Sequence, residues 1–102
     1  MEDAGRWEKY LGNIMTNSLK SEEGNMAKSE VFRVLSVACV SRLDEENQYT
    51  LALALLDCIN AANSSDERQF ATKYCEALDI ADKDSNVLIE VLKSATALAA
   101  LF

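Results

Sequence analysis

The sequence predicts an all-α protein, a compact bundle of about five helices forming a single domain over residues 1–102. Three observations carry this. Proline is absent and only three glycines occur, so few rigid turns interrupt the chain. Apolar residues recur at spacings of three and four in several segments. The stretch Tyr49–Ala62, YTLALALLDCINAA, carries only one charge, Asp57, so it must be buried on several sides. Leu51, Leu53 and Leu55 alternate with alanine, which is the period of a strand. Alanine is a poor strand former, and the alternation fails at Leu55-Leu56, so helix is the better reading.

The remaining elements are arranged to bury that centre. A first helix is expected from Asp3 to Leu19, with Trp7, Leu11 and Ile14 on one face, Tyr10 and Met15 beside them, and Asp3 as N-cap. Ser18–Asn25 reads as a loop broken by Gly24, so residues 1–6 and 18–26 are the parts expected to move. A second helix over Lys28–Arg42 presents Val31, Val34, Leu35, Ala38 and Cys39. Asp44-Glu45-Glu46 opens the central helix, where acidic residues suit the helix dipole. Ser64 with Glu67 fits a capping box for a fourth helix running from Ser65 to Leu78, with Phe70, Tyr74, Ala77 and Leu78 facing in. Leu78 and Ile80 then plug the following loop into the core. The last helix starts near Asp84 and runs to the end, with a seam through Leu88, Val91, Leu92, Ala95, Leu98, Ala99 and Phe102.

Composition narrows the function classes. A net charge of −7 argues against nucleic-acid binding, which needs Lys and Arg to displace counterions, and against an anionic membrane surface. No apolar run reaches the ~20 residues of a membrane span. Glu2, Asp3, Arg6, Glu8 and Lys9 interrupt any apolar run near the start, so no secretory signal is expected there. Cys39, Cys58 and Cys75 are odd in number, lack zinc-ligand spacing and sit among apolar neighbours. Buried reduced thiols and a cytoplasmic location are expected.

Catalysis finds little support. There is no histidine, no glycine-rich phosphate loop and no visible activating partner for a cysteine nucleophile. The most motif-like loop is Asp82-Lys83-Asp84-Ser85-Asn86 with Ile89 after it. It matches positions one, three, five and eight of an EF-hand calcium loop. Val87 then stands where a glycine is needed, and Lys93 where a bidentate Glu is needed. A polar helix cap is the simpler reading. The metal-ion alternative is a weak divalent cation held by Asp79, Asp82, Asp84 and Glu90.

The stretches LALALLDCINAANSSDERQF and EALDIADKDSNVLIEVLKSA resemble the TerB-like (tellurite-resistance) helical domains over roughly residues 49–95. Glu67 resembles the acidic residue that opens the family's following helix, and Leu78-Asp79-Ile80 its interhelical loop. Asn63-Ser64 departs from the family's Asp-Gly turn. The resemblance implies an all-helical stress-response or scaffold module, with Asp57 and Glu67 as the residues carried over to its acidic metal site.

The leading functional expectation is a non-catalytic protein-interaction module, such as an adaptor, inhibitor or small chaperone, with no resident cofactor. Its partner is a protein, basic in character. The residues expected to meet it are Asp44, Glu45 and Glu46 at the start of the central helix and Leu98, Leu101 and Phe102 at the end of the last, where a homodimer seam is the alternative to burial. A divalent-metal-responsive module and an acidic nucleic-acid mimic are the other two readings.

Overall fold

A computed structural model describes residues 22–102, which form four helices: α1 (Glu22–Cys39), α2 (Glu45–Asn63), α3 (Glu67–Ala81) and α4 (Ser85–Ala99). There is no strand among the described residues. The first expected helix, Asp3–Leu19, lies outside them. Four of the five expected helices are therefore on view, and they share one apolar core. Helix α2 packs chiefly on α3, and α1 chiefly on α4.

Helix α1 forms because Ala27, Val31, Val34, Leu35 and Ala38 recur every three or four residues and are all buried. Burial overrides the weak helix propensity of its β-branched valines. The expected loop at Ser18–Asn25 is corrected over its described part, because Gly24 lies inside α1 and is buried. Glycine within a helix costs about 1 kcal/mol relative to alanine. Gly24 is three residues from Ala27 on the packed face, where a missing side chain permits close approach.

The helix stops three residues earlier than expected, at Cys39. Ser41 is the cause. Its hydroxyl donates to the Ala38 carbonyl at 2.7 Å and accepts from the Leu43 amide at 3.1 Å, offering the backbone an alternative to another helical turn.

Helix α2 is the centre of the core, as its composition predicts. Leu51, Leu55, Leu56, Cys58 and Ile59 are buried together with Ala52, Ala54, Ala61 and Ala62. The alanines keep neighbouring helices close. Asp44 is its N-cap, accepting from the Asn47 amide at 2.8 Å, with Glu45 and Glu46 in the first turn. Gln48 is buried, and its Nε2 donates to the Leu43 carbonyl at 2.9 Å, tying the helix start to the loop before it.

The α2–α3 turn differs from the expected capping box. The N-cap of α3 is Asp66, whose carboxylate accepts from the Gln69 amide at 3.0 Å. Ser64 instead caps the end of α2. The Asp66 amide donates to the Ala61 carbonyl at 2.8 Å, and the Ser65 amide to the Ala62 carbonyl at 3.0 Å. These are the two bonds of a Schellman motif, which places Ser65 at the left-handed position, at φ 55°. Glycine ordinarily sits there because a Cβ costs roughly 1–2 kcal/mol in that conformation. Helix α3 then runs on to Ala81, so Leu78 and Ile80 are helical, half-buried residues and no loop plug exists there.

Ser65→Gly should raise stability by about 0.5–1 kcal/mol, since the gain in native backbone freedom is partly offset by a more flexible unfolded chain. Urea denaturation is the measurement; a loss of stability would contradict the assignment of Ser65 to the left-handed position.

Candidate functional site

Helices α2 and α3 form an antiparallel hairpin about Ser65. Asp57 and Lys73, each eight residues from Ser65, form an ion pair at 3.7 Å. Farther out, Lys83 donates from Nζ to Asn47 Oδ1 at 3.2 Å, which brings the start of α2 beside the end of α3. The α3–α4 loop also meets the α1–α2 loop. One carboxylate oxygen of Asp84 accepts from the Arg42 amide at 3.0 Å. The other accepts from the Asn86 and Val87 amides at 2.9 and 3.4 Å, capping α4.

Asp84 therefore closes one helix and holds the loop that leaves another. The Arg42 amide bond is the main cause that holds its carboxyl below the ordinary carboxylate value; desolvation opposes it, and the Asn86 and Val87 amides and the Arg42 charge act with it.

These contacts assemble one pole of the molecule. Asp44, Glu45 and Glu46 stand at it with Asp79 and Asp82, and all five are exposed. An open cleft of about 330 Å³ lies among them, lined by Arg42, Lys83, Asp84, Ser85 and Asn86. Of its two cations the Lys83 ammonium donates to Asn47, while Arg42 bonds Asp84 through its backbone amide and not its guanidinium. Among the described residues, Glu46, Asp79 and Asp82 form no ion pair. Two residue sets that the sequence treats separately, the α2 start and the loop around Asp82, share this end.

The residues considered for a metal are placed otherwise. Asp82 caps the end of α3, and Asp84 turns both oxygens to backbone amides. Glu90 pairs with Lys93 at 3.7 Å, Asp57 with Lys73, and Glu67 opens α3 at the opposite end of the hairpin. Among the described residues no three His, Cys, Asp or Glu side chains come together in a way that could hold a metal ion.

At the chain end, Leu98 is fully buried in the core and offers no surface to a partner. Leu101 is half-buried, and Phe102 is half-exposed with its ring edge-on to Phe70 at 5.1 Å. Among the described residues no helix is long and apolar enough to cross a membrane.

The cysteines depart from expectation. Only Cys58 is buried; Cys39 is half-buried and Cys75 is exposed on the outer side of α3. The Cys58 thiol donates to the Phe70 carbonyl at 3.8 Å. Burial pushes it up to about 12, and the Asp57 and Glu76 carboxylates push the same way. Such a thiol holds no nucleophilic thiolate near neutrality. Tyr74 donates from its hydroxyl to the Val91 carbonyl at 3.1 Å, joining α3 to α4, and burial raises its pKa too.

Comparison with family models, with curated proteins and with solved structures gives no match.

Both raised groups favour their protonated forms in the folded state. Stability should be complete below pH 9.0, the ordinary thiol value, and fall as pH rises toward about 12. Equilibrium unfolding across that window checks this, and Cys58→Ala should flatten the fall. A stability that rises with pH there would contradict the placement of Cys58. In native protein a thiol reagent should modify Cys75 quickly and Cys58 only on unfolding.

Proposed function

We propose that the chain is a non-catalytic protein-interaction module, of the adaptor, inhibitor or small-chaperone kind, that meets a basic protein partner through its acidic pole. The observation that carries this is the convergence of Asp44, Glu45, Glu46, Asp79 and Asp82 at one end of the α2–α3 hairpin. These carboxylates project from helix ends, so little side-chain-bearing backbone must be ordered on binding. Their charge favours fast, salt-sensitive association with a basic surface. The inert Cys58 and the absence of histidine from the sequence fit a role in contact and not in chemistry. The cation-lined cleft beside the acids offers a place for an acidic group of the partner and would fix its orientation.

The test is capture of partners from native extract by the wild-type chain and by the E46Q/D79N/D82N variant. Asp44 is left intact because it caps α2. The wild type should retain basic proteins that salt releases, and the variant should lose them. For a purified partner the Kd should rise at least about tenfold, mainly through slower association. Equal retention by both chains would remove the acidic pole from the account.

A further inference from the structure

The charge of this chain is not spread evenly over its helices. Residues 44–82, which build α2, α3 and the turn between them, hold nine acidic residues against Arg68 and Lys73, a net −7. That equals the formal charge of the whole chain, so the remainder balances to zero. The field that draws a basic partner therefore comes from the whole α2–α3 hairpin and not from its pole alone.

The hairpin also has an apolar place on its outward side. Two polar ties join its helices, Asn47 with Lys83 at 3.2 Å and Asp57 with Lys73 at 3.7 Å. On either helix the ties stand about 15 Å apart, at 1.5 Å per residue. Leu53 is one turn from Asp57, and Ile80 is two turns from Lys73, so both fall between the ties on the side where that ion pair stands. Leu53 is the leucine of α2 that escapes full burial, while Leu51, Leu55 and Leu56 are in the core. Ile80 is half-buried as well. Tyr49, one turn before Leu53, is 48% exposed.

Carboxylates frame this place. Glu46 lies two turns before Leu53 and Glu76 one turn before Ile80, so each shares a face with its aliphatic neighbour. Lys73 answers both Asp57 and Glu76, leaving that trio negative.

The form of a fitting partner follows. An extended peptide finds no strand edge to pair with among the described residues. Two antiparallel helices instead leave a furrow that accepts the side-chain ridge of a third helix. A short apolar floor within an acidic frame suits a helix with apolar residues at spacings of three and four. Lys or Arg beside them would lay their stems on the floor and carry their charges to the carboxylates.

We propose that the furrow between α2 and α3, floored by Leu53 and Ile80 and framed by Glu46, Asp57 and Glu76, docks a basic amphipathic helix of a partner protein, about three turns of it lying along the hairpin. This rests on the reading of the chain as a module for basic partners and names the form in which such a partner is met.

The probe is a synthetic peptide of about 18 residues, leucine and lysine only, with leucine confined to one helical face. Its control has the same composition with leucine scattered around the helix. Binding of both to the full chain is measured by calorimetry. The amphipathic peptide should bind at least about tenfold more tightly than the control and become helical. Leu53→Asp should weaken it about tenfold although the change adds an acid, because a carboxylate then meets the apolar stripe. Methyl NMR on the wild type needs no variant: the Leu53 and Ile80 signals should move on adding peptide, while those of Ile89 and Leu92, exposed on α4, stay. Equal binding of both peptides, or tighter binding by L53D, would overturn the furrow and leave an acidic surface that holds basic segments by charge alone. No binding at millimolar peptide would overturn it too, as would shifts confined to Ile89 and Leu92. So would Leu53 and Ile80 signals that move with protein concentration alone, which would make a second copy the occupant. Binding that salt does not weaken would instead remove the basic partner on which both readings stand.

Discussion

The Asp84 carboxylate is the interaction on which the arrangement of this molecule turns. It spans 42 residues of sequence to reach the Arg42 amide, and it caps α4 with its other oxygen. The core alone would hold α1 against α4, since Val31, Val34, Val87, Val91 and Leu98 are all fully buried. Apolar packing is non-directional, however, and tolerates sliding. A carboxylate in the α3–α4 loop that bonds the Arg42 amide of the α1–α2 loop and two amides of the first turn of α4 fixes where those loops stand. That in turn fixes the neighbourhood of Lys83 and Asn47, and of the exposed acids around them.

Much of the fold is legible in the sequence because local signals agree with burial. Asp44 followed by two glutamates marks the start of α2, and Asp84 the start of α4. Where several capping residues adjoin, the sequence misleads: Ser64, Ser65 and Asp66 can all cap, and the structure uses Asp66 for α3 while Ser65 takes the left-handed position without the glycine that normally signals it. Gly24 misleads in the opposite way, since a buried glycine inside a helix looks identical in sequence to one that breaks it. The end of α1 depends on a hydroxyl, that of Ser41, whose choice between solvent and the Ala38 carbonyl has no sequence signature.

The site was legible only in pieces. The sequence singles out Asp44–Glu46 for a partner and Asp79–Asp84 for a metal ion, with nothing that joins them. Their meeting follows from the hairpin: once the α2–α3 turn is centred on Ser65, residues equidistant from it must lie opposite one another. Asp57 with Lys73, and Asn47 with Lys83, obey this. The information was present but required the turn to be located within a residue, and the capping ambiguity hides that. Backbone amides bond one oxygen each of Asp44 and Asp66 and both oxygens of Asp84.

The most direct measurement of the central claim is the NMR titration of the Asp84 carboxyl carbon, with the Arg42 amide followed in the same samples. A carboxylate held by three amides titrates below its ordinary value of 3.8, and the Arg42 amide shifts in step as the bond breaks. Stability contributed by Asp84 is present above 3.8 and lost as pH falls through the lowered value. A carboxyl that titrates at or above 3.8, with an Arg42 amide indifferent to it, would contradict the clasp and the arrangement of the acidic pole built upon it.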